Sequence, residues 1–178
     1  MHRYYYRNEA VSGKDCDEFI DKYKDVDFNQ GLVGGESQEE LKYRKAKVHW
    51  LDFDNVLVRA LWSYVLEMNQ HFKCNINAYE KVQLTKYDSK CFYTWHQDKI
   101  YNDKPERKLT AVLQLSKPED YKGCELQLFN GSKEPDELPI KNQGSIIVFK
   151  SYEWHRITEL TDGTRYSLVM WATGRPLV

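Results

Sequence analysis

No run of this sequence is long and apolar enough to cross a bilayer. The longest apolar stretch, residues 56–66, is interrupted by Arg59, whereas a spanning helix needs roughly 20 apolar residues. The opening Met1-His2-Arg3-Tyr4-Tyr5-Tyr6 lacks the apolar core of a secretion signal. A cytoplasmic location is therefore expected, or the host cytoplasm for a phage-encoded chain. Charge of one sign is also missing: 26 Lys and Arg face 27 Asp and Glu, a net charge of -1. That balance provides no general attraction to nucleic acid or to an anionic membrane, and neither is expected as a partner. The four cysteines, Cys16, Cys74, Cys91 and Cys124, form no C-x-x-C pair. Without a secretion signal they read as reduced, mostly buried thiols rather than a disulfide framework. There is no internal repeat and no low-complexity tract.

What is there fits one domain. The 178 residues suit a single core, expected as a monomer, with little room for a second. Most of the 13 tyrosines read as half-buried filler. The first third reads as helical. Cys16, Phe19, Ile20 and Tyr23 share a helical stripe with Ser12 as N-cap. A second helix follows from Phe53, Val56, Leu57, Ala60, Leu61, Tyr64, Val65, Met68 and Phe72, with Asp52 as its cap. Gly31, Gly34 and Gly35 mark a loop between them. After Asn77 the period changes to two. Val82 and Leu84, then Leu109, Ala111, Leu113 and Leu115, then Cys124, Leu126 and Leu128 alternate with their neighbours, and residues 145–150 and 165–171 are further strands. Asp103-Lys104-Pro105, Lys117-Pro118, Asn130-Gly131, Asn142-Gln143-Gly144 and Asp162-Gly163 supply turns. Many short strands divided by turns predict a sandwich or jelly roll, mostly β, with the N-terminal helices packed outside one sheet.

Histidine is scarce, with five in the chain, so the segment Trp95-His96-Gln97-Asp98 stands out. On extended backbone, residues two apart share a face, and His96 and Asp98 then reach one metal. A triad of two His and one carboxylate leaves open positions on non-haem Fe(II). His2 is terminal and His71 lies late in the second helix. His155, between Trp154 and Ile157 after the strand around residues 146–149, is a barrel-wall position suited to the third ligand. An H-x-D triplet is weak by itself. Arg165 strengthens it: it lies ten residues after His155, across the Asp162-Gly163 turn, with Ser167 two further on the same face. A buried arginine requires an anionic partner, and a dicarboxylate that also chelates iron would supply one.

The chain resembles the 2-oxoglutarate/Fe(II) dioxygenases, and within them the prolyl 4-hydroxylases. The resemblance covers about residues 83–171. It rests on Tyr87-x5-Tyr93-x2-His96-x-Asp98, Arg107-x2-Thr110, Gly123-Cys124-Glu125-Leu126 and His155-x9-Arg165-Tyr166, ending at Trp171. It implies a double-stranded β-helix of about residues 79–175 on a helical support of about residues 12–75, together one domain over 1–178. It implies Fe(II) on His96, Asp98 and His155, and 2-oxoglutarate on Arg165 with Tyr87 and Ser167. Tyr93 and Trp171 would line the pocket, O2 would be the oxidant and ascorbate a reductant. Arg107 could touch substrate, but it reads rather as a solvated loop residue. Two positions depart from the family: Cys124 and Lys90 stand where glycine is usual. The retained Asp98 implies hydroxylation rather than halogenation. The expected substrate is a prolyl residue in a peptide or protein. The other readings are a nucleic-acid or free amino-acid oxygenase of the same superfamily, and a non-catalytic jelly-roll interaction module. No further arginine follows Arg165 on its strand, against the nucleic-acid reading.

Overall fold

The computed structural model describes residues 2–31, 42–52, 55–99, 105–132 and 134–175. Gly34, Gly35, Phe53, Asp103 and Lys104, singled out above, lie outside the described residues. The α-helices there are α1 (Gly13–Tyr23) and α2 (Val56–Phe72). The strands in chain order are β1 (Tyr4–Arg7), β2 (Asn29–Gln30), β3 (Arg44–Lys45), β4 (Lys47–Leu51), β5 (Ala78–Tyr79), β6 (Val82–Tyr87), β7 (Phe92–His96) and β8 (Glu106–Gln114). They continue as β9 (Tyr121–Gly123), β10 (Leu126–Leu128), β11 (Asp136–Glu137), β12 (Ile146–Lys150), β13 (His155–Ile157), β14 (Leu160–Gly163) and β15 (Arg165–Gly174).

Among the described residues, eight strands form a major sheet in the order β1-β12-β8-β15-β6-β4-β2, with β5 on the far end of β15. Five form a minor sheet, β11-β10-β13-β7-β3, and β14 pairs with β9. The central pairs are antiparallel. This is the double-stranded β-helix, or jelly roll.

Strand alternation divides the major sheet between two tasks. Leu109, Ala111 and Leu113 of β8, Ile146 and Val148 of β12, Val82 and Leu84 of β6, and Leu168 and Met170 of β15 pack in one cluster with α1 and α2. The intervening residues point the other way. Val112, Ile147 and Phe149 pack against Leu126, Leu128 and Ile157 of the minor sheet, and Gln83, Thr85, Thr110, Gln114, Arg165 and Ser167 are buried on that inner side. Each large apolar side chain on the helix side contributes about 1.5–3 kcal/mol by leaving water. That burial sets the register and aims the polar inner set at one place.

Ser12 caps α1 by accepting from the Asp15 N–H. The cap of α2 is Asn55, not Asp52: Asn55 Oδ1 accepts from the Leu57 N–H at 2.9 Å. The first third also contributes strands that its helical reading omits. β1 extends the major sheet on β12, and β4 pairs with β6. Cys124 lies outside β10 because its φ is +53°. Lys90 has φ +61°. The two departures from the family's glycines thus both occupy left-handed backbone, which costs a side-chain-bearing residue roughly 1–2 kcal/mol.

Candidate active site

β7 and β13 are neighbours in the minor sheet, and His96 and His155 are a Cα pair in that ladder. Asp98 follows β7, tied down by its N–H to the Ser151 carbonyl at 2.9 Å. One ligand atom of each of these three residues lies within 4.8 Å of the other two. His96 Nε2 is 3.6 Å from Asp98 Oδ1, and His155 Nε2 is 3.4 Å from Oδ2. The other ring nitrogens are engaged: His96 Nδ1 lies 2.8 Å from the Thr94 carbonyl and His155 Nδ1 lies 2.9 Å from that of Glu153. A carbonyl only accepts, so each Nδ1 carries the proton. In the neutral rings both Nε2 lone pairs then face the carboxylate, the tautomer a metal-bound imidazole requires.

Asp98 is buried and oriented in turn. Thr110 Oγ1 donates to its Oδ2 at 2.8 Å and lies 3.0 Å from Ser151 Oγ. Burial opposes the Asp98 charge, but His155 and His96 outweigh it and hold the carboxyl well below its usual range. Burial lowers the pKa of His96. Burial also works against a charged His155, but Asp98 more than offsets it and its pKa is raised. Two imidazole nitrogens and one carboxylate, open toward a cavity of about 570 Å³, fit Fe(II) with positions left for other ligands.

Arg165 opens β15 and lines the same cavity, 2 % exposed. It is the cross-strand partner of Tyr87, whose ring centroid is 5.6 Å from the guanidinium carbon. Its Nε donates to Gln114 Oε1 at 2.9 Å and its Nη1 is 4.0 Å from Cys124 Sγ. No carboxylate among the described residues forms an ion pair with it.

Tyr87, Tyr93, Ser167 and Trp171 all line this cavity with the triad, whereas Gly123, Cys124 and Glu125 of the turn motif line a neighbouring cavity and Tyr166 packs in the helix-side cluster. Tyr93 stacks on the His96 ring, with centroids 3.4 Å apart, and burial pushes its phenol up to about 12. The indole Nε1 of Trp171 is buried without a hydrogen-bond partner. The reading of Arg107 as a solvated loop residue is corrected. It lies on β8, is paired with Glu80 and lines the cavity. Sequence reasoning also missed the roles of Thr110 and Gln114. Their signal was the alternation itself, since both stand between apolar residues of β8 that face the helices.

Facial triads left open on one side mark the non-haem Fe(II) oxygenases. Within that class, residues 82–173 match the model of the 2OG-Fe(II) oxygenase superfamily, and the chain belongs to it. The enzyme accordingly uses Fe(II), 2-oxoglutarate and O2. Its curated relatives include a PKHD-type hydroxylase of Prochlorococcus marinus, 26% identical over 167 residues, which span 92% of this chain and 73% of that protein. Another from Idiomarina loihiensis is 26% identical over 168 residues, 90% of this chain and 69% of that protein. Among solved structures, a Pseudomonas putida prolyl-4-hydroxylase superposes with a TM-score of 0.76 at 19% identity, covering 99% of this chain and 95% of that one. The viral collagen prolyl hydroxylase of Paramecium bursaria Chlorella virus-1, in its 2-oxoglutarate complex, gives 0.71 at 21% identity, covering 98% and 97%. At these identities the structures share the fold. No helix among the described residues is long and apolar enough to cross a membrane.

Proposed function

We propose that this enzyme hydroxylates a C–H bond of a prolyl residue in a peptide or protein. His96, Asp98 and His155 hold the iron and Arg165 anchors the distal carboxylate of 2-oxoglutarate. The observation that carries the co-substrate reading is a buried arginine with no carboxylate partner among the described residues, facing the triad's own cavity. A dicarboxylate supplies the missing charge.

When bound, Fe(II) with 2-oxoglutarate and O2 supplies oxidation of the C–H bond to an alcohol, with succinate and CO2 as co-products. The protein's part is geometry. The Thr94 and Glu153 carbonyls set the imidazole tautomers, and Thr110 orients Asp98. Tyr87 and Ser167 flank Arg165 within the cavity wall, and Tyr93, Trp50 and Trp171 give its mouth an aromatic lining. That lining supports the prolyl reading. A proline ring is stiff and apolar, and an extended polyproline backbone loses little entropy on binding such a surface. The Pseudomonas putida prolyl-4-hydroxylase, whose fold this chain shares, is named for such a substrate.

The test is succinate release from Fe(II), 2-oxoglutarate and ascorbate, with Pro-rich peptides compared against methylated oligonucleotides and free amino acids. Mass spectrometry should find one oxygen added to a prolyl residue, in a reaction little affected by salt. Stimulation by oligonucleotides alone, with formaldehyde released, would replace this reading by a demethylase.

A further inference from the structure

The groups packed on Arg165 carry no charge to match its own. Gln114 is an amide, Tyr87 presents a phenol ring, and Cys124 is a thiol that burial pushes up to about 11 despite the arginine beside it. Of these, Gln114 grips hardest. It is 1 % exposed, and an arginine Nε only donates, so the amide oxygen must face it. The amide nitrogen then donates to the Ser116 carbonyl at 3.0 Å and to the Tyr121 hydroxyl at 3.1 Å. Both ends of the amide are engaged, and its orientation is fixed.

Arg165 also stands on a boundary. Behind it lies a second cavity of about 280 Å³, walled by Gln114, Tyr121, Cys124 and Leu138. The two cavities share Arg165 and Leu126. There is space for the guanidinium to retreat away from the triad, and the Gln114 side chain, which walls that space and accepts from Arg165 Nε with both ends of its amide fixed, stands against that retreat.

We propose that Gln114 is the positioning residue of the co-substrate site: it holds Arg165 at the boundary between the two cavities without neutralising it, and so sets the length of dicarboxylate the enzyme accepts. The proposal rests on Arg165 being the 2-oxoglutarate anchor. A carboxylate at this position would hold the arginine as well or better, but it would satisfy the charge intended for the ligand. A smaller residue would let the arginine swing back and lengthen the pocket.

Two variants separate this role from plain packing. Anaerobic titration of the Fe(II)-loaded protein with 2-oxoglutarate, and with 2-oxoadipate, one methylene longer, gives the affinities. Thermal melts of the metal-free protein report the fold. For Gln114→Glu the melting temperature should hold or rise while 2-oxoglutarate binding weakens by roughly tenfold or more, the scale of one hydrogen bond to a charged group. For Gln114→Ala the preference for 2-oxoglutarate over 2-oxoadipate should fall by about the same factor, because only the shorter acid loses its anchor. Wild-type 2-oxoglutarate affinity in a folded Gln114→Glu, or equal weakening of both acids in Gln114→Ala, overturns the proposal. If Gln114→Glu does not fold, Gln114→Ala decides alone. Arg165→Ala is the reference: normal 2-oxoglutarate binding there removes the anchor itself. Loss there beside normal binding in both Gln114 variants removes only the role of Gln114.

Discussion

The guanidinium of Arg107 lies 3.9 Å from the centroid of the Trp171 ring. Its Nε and Nη2 also donate to the two carboxylate oxygens of Glu80, at 2.8 and 2.6 Å. The arginine is thereby held flat at the cavity wall, where a flexible side chain would otherwise wander. Lysine keeps the charge but has neither the fork nor the plane. Arg107→Lys should therefore raise the KM for the proposed peptide substrate, losing about 0.5–2 kcal/mol with the stacking. The KM for 2-oxoglutarate should stay near wild type. Succinate release measured against each substrate in turn checks this, and a shift in the 2-oxoglutarate KM alone would relocate Arg107 to the co-substrate site.

Replacing His96, Asp98 or His155 by alanine should abolish turnover while the melting transition survives, because two remaining ligands cannot hold a facial site. Near-normal activity of His155→Ala would remove it from the triad. Thr110→Val is a gentler probe. It keeps the side-chain shape and deletes the hydroxyl that donates to Asp98. Losing such a supporting bond costs about 10–100-fold in metal affinity, measurable by anaerobic titration with Fe(II) or Co(II).

Arg165→Ala should raise the KM for 2-oxoglutarate sharply, by a loss of about 2–5 kcal/mol for one buried charged partner. Tyr87→Phe, which removes only a hydroxyl beside the arginine, should act in the same direction and more weakly. Steady-state kinetics in 2-oxoglutarate at saturating peptide would show it. An unchanged KM in Arg165→Ala would end the anchor assignment.

Burial pushes the thiols of both Cys16 and Cys124 up from 9.0 to about 11. A folded-state pKa raised in this way gives stability that is complete below the unfolded value and is lost as the pH climbs through the folded one. The melting temperature should thus decline from about pH 9 upward, as the unfolded chain's thiols ionise first. Cys16→Ala should flatten the decline. A wild-type curve level from pH 9 to 11 would contradict the burial of these thiols.

The triad was legible because two ligands sit within one extended triplet and the scarcity of histidine left few choices for the third. The placement of Arg165 at the cavity was legible because a turn and a strand period fixed which way it points. Arg107 was not, since its partner Glu80 lies 27 residues earlier, in the short link between β5 and β6, and a local pattern carries no trace of such a pair. β1 and β4 were missed for a similar reason. Tyr4-Tyr5-Tyr6 has no alternation, and in Lys47-Val48-His49-Trp50-Leu51 the polar Lys47 and His49 share the face of the core residue Leu51, so their pairing with β12 and β6 is a tertiary choice. Gln114 was hidden by a different effect: a polar residue on a strand buried on both faces looks like a solvent-facing one until the second sheet is in place.

His96 and His155 belong to the minor sheet, and Asp98 follows β7 at its edge, whereas Arg165 belongs to the major one. On the proposed reading, His96, Asp98 and His155 would hold the metal that one end of 2-oxoglutarate meets and Arg165 would hold the other end, so that the co-substrate would act as a crossbar between the two layers of the jelly roll. Succinate, having lost the 2-oxo group, would keep the carboxylate that Arg165 holds but would lack the chelating pair that the metal site takes. Each turnover would then slacken one end of the crossbar. The spacing of the layers, and the protection of their backbone amides from exchange, would rise and fall with the co-substrate rather than with the iron alone.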